Sequence, residues 1–108
     1  MKQSNLELHA ATRIKQLGLP DPIAEYRFTG LSGTRKWLFD FAWPDHGVVF
    51  EIEGGTWVQG RHSQGKGFHD DCEKYNEAAL CGWKLIRADS TMVMDDSFLV
   101  FLELALKE

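Results

Sequence analysis

Residues 35–53 predict two β-strands joined by a tight turn. This hairpin restricts the chain to folds that contain an antiparallel pair of strands. From residue 35 to residue 43, large apolar side chains alternate with other residues, which is the pattern of a strand that buries one face. One face carries Trp37, Phe39, Phe41 and Trp43, and the other carries Lys36, Leu38, Asp40 and Ala42. A Pro-Asp-His-Gly turn at 44–47 leads to a second strand over 48–53. We therefore expect an antiparallel hairpin at the centre of the fold.

Helices and further strands flank this hairpin. A capping-box pattern at residues 4–7 begins the first helix, and Gly82 ends the second. In chain order the predicted elements are a helix over 5–17, a strand over 23–28, the hairpin, a helix that ends before Gly82, a strand over 83–87, and a helix capped by Asp95, Asp96 or Ser97. The helix that follows the hairpin indicates a crossover connection. The prediction is a single domain over residues 1–108 of the α/β class, with a mixed sheet flanked by helices in the order αβββαβα.

Helical periodicity predicts which side chains of the helices face the core. The expected inward residues are Leu6, Ala10, Ile14 and Leu17 in the first helix, Phe68, Cys72, Tyr75 and Ala79 in the second, and Phe98, Phe101, Leu102, Ala105 and Leu106 in the last. Cys72 and Cys81 are nine positions apart and form no CxxC motif. We therefore expect both cysteines to be reduced packing residues.

Composition excludes several classes of protein. The chain has 108 residues, 44% of them hydrophobic, which is too apolar for a disordered chain and sufficient for a core without disulfides. Its apolar runs are far shorter than the roughly 18 residues of a membrane span, and its first residues lack the apolar stretch of a signal peptide. We therefore expect a cytoplasmic protein without membrane contact. The net charge of −4 lies in residues 89–108, since residues 1–88 carry 11 Lys and Arg against 11 Asp and Glu.

Three acidic residues of the hairpin are the candidates for chemistry. Asp40 lies mid-strand, while Glu51 and Glu53 lie on one face at the end of the other strand, with Ile52 opposite. Burying a carboxylate costs on the order of several kcal/mol unless it is paired or bound to a metal. Oxygen ligands of this kind suit Mg²⁺ or Mn²⁺, which activate a hydrolytic water and neutralise charge on a phosphate. The alternative is that Glu51 and Glu53 form the solvent face of an edge strand.

Four segments, taken in order, resemble a known family of nucleases. They are RKWLFDFAWP at 35–44, VVFEIEGGTW at 48–57, CEKYN at 72–76 and LCGWKLIR at 80–87. In this order they are similar to the PD-(D/E)xK, restriction-endonuclease-like nucleases, and within these to the very-short-patch-repair endonuclease-like branch found in phage and prophage. The resemblance implies a restriction-endonuclease-like core and a metal-dependent DNA endonuclease that uses Mg²⁺ or Mn²⁺.

The resemblance also implies roles for individual residues. Asp40 and Glu51 match the metal-ligating acids of the family, with the backbone carbonyl of Ile52 as the usual third ligand. Glu53 departs from the pattern because it occupies the position of the family's lysine. Either Glu53 joins the metal shell, or another residue supplies the proton chemistry. The residues available for that role are His62, His69 and Lys74.

Each of these roles has a simpler alternative. A lone histidine more often faces solvent or caps a helix, and Lys74 can pair with Asp70 four positions earlier.

An acid from the N-terminal helix contributes in some relatives of the family. Glu7 and Glu25 are the candidate acids for such a role, but no motif assigns it to either of them.

The glycine-rich segment 54–69 contains no acid and is the predicted DNA contact. Trp57 supplies a ring that can stack on bases or wedge between them, and the cations are Arg61, His62 and Lys66. The alternative is a solvated connection in which Trp57 packs on the sheet. We expect no structural zinc, because tight paired spacing is absent among His62, His69, Cys72 and Cys81.

These features predict a small metal-dependent DNA endonuclease, nicking or structure-specific, that acts in DNA repair or recombination. Double-strand cleavage by so small a domain would require a homodimer or a partner. One alternative on the same fold is a Holliday-junction-resolvase-like enzyme. Another is a non-catalytic nucleic-acid-binding accessory protein that kept the fold after losing the lysine. A third is a protein-interaction module that uses the acidic last helix.

Overall fold

The structure is a computed structural model that describes residues 5–53 and 66–107, without the side chain of Lys66. In chain order its elements are α1 (Asn5–Gln16), β1 (Ile23–Phe28), β2 (Trp37–Trp43), a 3-10 turn (Pro44–His46), β3 (Val48–Ile52), α2 (Lys66–Leu80), β4 (Lys84–Ala88), α3 (Ser90–Met94) and α4 (Phe98–Leu106). The predicted α/β class is confirmed. The predicted order is also confirmed, with the short helix α3 added before the last helix.

The strands of the described residues form one mixed sheet in the order β1-β2-β3-β4. β2 pairs antiparallel with both β1 and β3, and Gly47 closes the turn between β2 and β3 in a left-handed conformation at φ 68°. β3 and β4 are parallel, with Glu51 opposite Arg87. A parallel pair requires a crossover, and α2 lies between these strands in the chain. The predicted hairpin and crossover are therefore confirmed.

Two apolar clusters contain the buried hydrophobic residues of the sheet and the helices. The larger cluster includes buried residues of α1, α3 and α4, and within it Phe50 stacks on Phe41 and Phe98 at centroid distances of 6.1 and 5.4 Å. The smaller cluster lies against α2, and its buried members are Phe28, Trp37, Phe39, Ala42, Val49 and Ala78. The helices thus lie in two layers, with the sheet between them.

The aromatic residues of β2 do not share one face, so that prediction was wrong. The first two, Trp37 and Phe39, belong to the smaller cluster, whereas the last two belong to the larger one. The change occurs at Asp40. The ladder with β1 skips Asp40 and Glu25, which lie between the pairs Ala24–Phe41 and Tyr26–Phe39, and Glu25 has a φ of 51°. A left-handed residue distorts a strand and re-aims the side chains around it. Asp40 therefore lies at an irregular point of the sheet.

The inward face of α2 also differs from the prediction. The predicted inward residues that the structure exposes are Phe68, Cys72 and Ala79. Lys74 and Ala78 are buried, and Tyr75, which was predicted to face inward, is half-buried. These three residues also have helical spacing. A search for apolar periodicity does not select this face, because its first residue is a lysine.

Both cysteines are free and exposed, so the prediction that they pack in the core was wrong. Cys72 lies on the outer side of α2, and Cys81 follows the last residue of that helix. Cys72 is exposed because Lys74 and Ala78, and not Cys72, occupy the inward face of α2. The end of the helix at Leu80 explains the exposure of Cys81.

The first and last helices follow their predicted faces with two exceptions. Ala10 and Ile14 of α1 are buried, but Leu17 lies beyond the helix end and is exposed. α4 buries Phe98, Leu99, Leu102, Ala105 and Leu106. Phe101 is exposed because Leu99, next to Phe98, takes the inward position. Within the described residues, no helix has the length and apolar character needed to cross a membrane.

Candidate active site

Asp40 of β2 and Glu51 of β3 meet where the regular pairing of these strands stops. The neighbouring ladder pair is Phe41 with Phe50. Beyond it, the Asp40 amide donates to Glu51 Oε1 at 3.1 Å, and the Ile52 amide donates to Asp40 Oδ2 at 2.7 Å. Each carboxylate thus accepts a backbone N–H from the other strand, which keeps these partly buried donors satisfied. The two predicted metal ligands are therefore adjacent and fixed.

Lys74 of α2 contacts the same pair of strands. Its Nζ donates to Glu51 Oε2 at 2.9 Å and to the Leu38 carbonyl at 2.5 Å. The side chain of Lys74 is 8% exposed and that of Glu51 is 16% exposed. Asp70, the alternative partner, accepts instead from Trp37 Nε1 at 3.2 Å. An ammonium has three N–H donors, and the third has no hydrogen-bond acceptor among residues 5–53 and 66–107, although Nζ lies 4.5 Å from the centroid of the Phe39 ring.

α1 brings an additional acid to this point. The Glu7 side chain forms a hydrogen bond with Asp40, although no sequence motif assigned it a role. Glu25, the other candidate acid, lies on β1 across from Asp40 and is exposed. The site therefore receives acids from α1, β2 and β3.

The carboxyl groups of this pair hold their protons more tightly than exposed acids do. Burial raises the pKa of Asp40 to about 7, and the nearby Glu51 and Glu7 add to the rise. Burial also raises the pKa of Glu51, although Lys74 opposes this effect. Neighbouring carboxylates in a partly buried site repel each other when both ionise. A bound divalent cation would relieve this repulsion.

The available oxygen atoms fit a hard divalent cation. Asp40 and Glu51 supply carboxylates. Ile52, which follows Glu51 in the chain, supplies a backbone carbonyl. Within residues 5–53 and 66–107, no three His, Cys, Asp or Glu side chains group as a metal site. Mg²⁺ commonly takes only one or two carboxylates and completes its shell with water and substrate oxygens. The pair is consistent with that kind of site.

Glu53 belongs to a neighbouring cluster with Tyr75 and Arg87. The Tyr75 hydroxyl donates to Glu53 Oε2 at 2.6 Å, and Arg87 Nε donates to the same oxygen at 3.0 Å. The Arg87 guanidinium carbon lies 4.8 Å from the centroid of the Tyr75 ring. Burial, together with the hydrogen bond to Glu53, raises the pKa of Tyr75, so this hydroxyl stays a neutral donor. Burial lowers the pKa of Arg87, but the attraction of Glu53 outweighs it and the net shift is upward.

The remaining predicted residues lie elsewhere or outside the described part of the chain. The His69 side chain is 74% exposed on α2, and its Nε2 lies 3.6 Å from Glu73 Oε2. Trp57, Arg61 and His62 lie outside the described residues, as does the side chain of Lys66. The proposed DNA contacts of this segment stay predictions.

Sequence reasoning missed two residues of the site and named a third, Glu7, only as one of two candidate acids without a motif. Tyr75 was assigned to the core, and Arg87 was noted only as the end of a motif. A usable signal for Arg87 was its place on a strand parallel to the one that ends in Glu51 and Glu53. For Glu7 and Tyr75 the sequence holds no comparable signal, because packing alone brings α1 and α2 to the sheet.

The arrangement can hold a hard cation, present a lysine N–H beside it and expose an arginine at its margin. Its residues come from β2, β3, β4, α1, α2 and the position just after β3: Glu7, Asp40, Glu51, Glu53, Lys74, Tyr75 and Arg87. Compared with known proteins, the chain matches no protein-family model, no curated protein and no solved structure.

Proposed function

We propose that this protein is a metal-dependent DNA endonuclease of the PD-(D/E)xK, restriction-endonuclease-like type, with Mg²⁺ or Mn²⁺ as its cofactor. The observation that carries the proposal is the meeting of Asp40, Glu51 and Lys74 between β2, β3 and α2. The sequence resemblance to the very-short-patch-repair branch supports it, because the same acids are the ones that the resemblance assigns to the metal. A nicking or structure-specific enzyme of phage or prophage origin fits this proposal.

The residues that would hold the cation are Asp40, Glu51 and the Ile52 carbonyl. A bound cation lowers the pKa of an attacking water and neutralises charge on the phosphate. The chain's contribution is to fix the two carboxylates in advance, since both accept backbone N–H groups at 2.7–3.1 Å. Preorganised ligands need little rearrangement when a substrate arrives.

Lys74 would perform the role of the lysine that is absent at position 53. It reaches Glu51 from α2 instead of from the strand itself, and the Leu38 carbonyl holds its Nζ in place. Its third N–H can orient the attacking water or donate to a phosphate oxygen. Hydrolysis would then add water to phosphorus, break the bond to the 3′ oxygen, and leave a 5′ phosphate and a 3′ hydroxyl.

A cleavage assay on supercoiled plasmid and on branched DNA, with Mg²⁺, Mn²⁺ or EDTA, tests this proposal. The wild type should cleave with either metal and be inactive in EDTA. Asp40→Asn, Glu51→Gln and Lys74→Met should each lower the rate by about 100-fold or more. Matched controls are Asp45→Asn, an exposed acid in the turn, and Lys15→Met, an exposed lysine at the end of α1. Both controls should keep wild-type activity.

The result that overturns the proposal is cleavage that persists in EDTA or in both carboxylate variants. Absence of cleavage by folded wild-type protein on every DNA form, with equal DNA binding by all variants, would favour the accessory-protein alternative. A strong preference for branched over linear DNA would identify the resolvase-like activity within the same mechanism.

A further inference from the structure

We infer that Arg87 binds a phosphate group of the DNA beside the carboxylate pair, and that Glu53 and Tyr75 hold its guanidinium in position. The inference rests on the proposed function and goes beyond it by naming a phosphate subsite. It also gives Glu53 a positioning role and removes it from the candidates for the metal shell.

The position of Arg87 in the sheet places it at the carboxylate pair. β3 and β4 are parallel, and Arg87 of β4 is the register partner of Glu51 of β3. Neighbouring strands are about 4.8 Å apart. The long Arg87 side chain can therefore contact a phosphate adjacent to one bound at Glu51.

The Arg87 side chain is anchored at one end and accessible at the other. Glu53 Oε2 accepts from Nε, and the Tyr75 ring lies 4.8 Å from the guanidinium carbon. The side chain is nevertheless 54% exposed. A guanidinium has five N–H donors in a planar fork, and those on the two terminal nitrogens of Arg87 have no acceptor among residues 5–53 and 66–107, so they can bind a phosphate. A guanidinium already fixed in this way loses less conformational entropy when it binds an anion.

Glu53 is already compensated without a metal ion. Its Oε2 accepts hydrogen bonds from both the Tyr75 hydroxyl and Arg87 Nε. Asp40 differs, since its described hydrogen bonds are with the Ile52 amide and Glu7, and no cation is among them. Of these two carboxylates, Asp40 is therefore the one whose negative charge a metal ion would stabilise more. Glu53 instead holds the Arg87 guanidinium in position.

The local charge balance gives Arg87 a particular importance. In the described part of the chain, two cations and six acids interact around the site: Lys74 and Arg87 with Glu7, Asp40, Glu51, Glu53, Asp70 and Asp71. Such an excess of acids repels a phosphodiester. Lys74 is buried, whereas Arg87 is exposed to solvent. Arg87 is thus the accessible cation of this set for a substrate phosphate.

The test measures DNA binding and metal binding separately from cleavage. A fluorescein-labelled duplex of about 20 base pairs, in Ca²⁺ to prevent turnover, is titrated by fluorescence anisotropy at several salt concentrations. For Arg87→Gln we expect Kd to rise about tenfold and the salt slope to fall by about one unit. In Mg²⁺, KM should rise by a similar factor while kcat changes by less than about threefold. Arg27→Gln, an exposed arginine of β1 at the other edge of the sheet, is the matched control and should leave all four values unchanged.

Two further variants separate a phosphate contact from a structural brace. Arg87→Lys keeps the charge but loses the fork, so it should keep the wild-type salt slope and show an intermediate Kd. Glu53→Gln should weaken DNA binding as Arg87→Gln does, yet leave Mn²⁺ affinity, measured by calorimetry, at the wild-type value. Asp40→Asn should lose Mn²⁺ binding. Thermal unfolding followed by circular dichroism verifies that each variant is folded.

The inference is overturned if Arg87→Gln binds the duplex with the wild-type Kd and salt slope. It is also overturned if Glu53→Gln loses Mn²⁺ as Asp40→Asn does, because Glu53 would then be a metal ligand. Should Arg87→Gln not fold, a wild-type Kd in Arg87→Lys would overturn the inference instead. Wild-type protein that binds Mn²⁺ and duplex but cleaves no DNA would refute the proposed endonuclease alone, and failure to bind duplex at all would refute both.

Discussion

Asp40 shows how one residue can link the stability of the fold to the chemistry of the site. Its carboxyl group has a raised pKa of about 7, because burial and neighbouring acids disfavour its charge. The unfolded chain ionises the same group near 3.8. The folded state therefore binds this proton more tightly, and stability falls as the pH rises from about 4 through about 7. The same ionisation prepares the carboxylate for a cation.

Replacing Asp40 by Asn should remove this pH dependence. After allowance for partial exposure, the wild type should lose about 1–2 kcal/mol relative to Asp40→Asn between pH 4 and pH 8. The variant keeps an oxygen that can accept from the Ile52 amide, so the two proteins should be similar at pH 4. Urea denaturation at both pH values measures the difference.

Mg²⁺ provides the corresponding control. At pH 8 the ion should raise the free energy of unfolding of the wild type but not that of Asp40→Asn, because only the wild type offers the ionised ligand. Asp45→Asn, in the exposed turn, should behave as the wild type does throughout. Parallel pH profiles for wild type and Asp40→Asn would show that Asp40 does not titrate as described.

At the scale of elements, α4 offers a direct comparison between two phenylalanines of one helix. Phe98 is fully buried and stacks on Phe50 at 5.4 Å, whereas Phe101 is 49% exposed. Phe98→Ala should lower the free energy of unfolding by about 3–4 kcal/mol through lost burial and a cavity. Phe101→Ala should lower it by less than about 1 kcal/mol. Chemical denaturation measures both, and equal effects would contradict the described orientation of the helix.

The elements themselves were largely predictable, and their faces were less so. The bounds of β1 agree with the prediction, and the hairpin and crossover are where the turns and glycines indicated. Alternation and turn chemistry are local, so they survive in the fold. The face of α2 was mispredicted because Lys74, which pairs with a buried acid, occupies an inward position that apolar periodicity does not identify. The face change at Asp40 coincides with a gap in the ladder with β1 at Glu25, which no single strand pattern contains.

At the scale of the whole molecule, the acidic C-terminal segment is part of the core. α3 and α4 supply Val93, Phe98, Leu99 and Leu102 to the larger cluster. We predict that a chain truncated after Ala88 lacks a cooperative unfolding transition, since the apolar face of the sheet would lie open to water. Circular dichroism during thermal and urea titration tests this.

This prediction also bears on the interaction-module alternative. If the truncated chain unfolds cooperatively with the wild-type midpoint, α3 and α4 are an appendage that is free to serve a partner. Loss of activity in a 1–88 chain would not identify a partner-binding role for α3 and α4, because removing their buried residues abolishes activity by unfolding. Point substitutions on the exposed side of α4, such as Phe101→Ala, are the cleaner way to examine that surface.

Local sequence patterns were sufficient to predict the α/β class, the hairpin, the crossover and the proximity of Asp40 to Glu51. These depend on local alternation, turn residues and the period of two along a strand, all of which are visible in a short stretch of chain. Three contacts could be found only in the folded protein. Lys74 forms an ion pair with Glu51, and Glu7 forms a hydrogen bond with Asp40. Glu53 accepts hydrogen bonds from Arg87 and Tyr75. The physical reason is that these contacts depend on the phase of each helix and the register between β3 and β4, which the packing of the two apolar clusters determines.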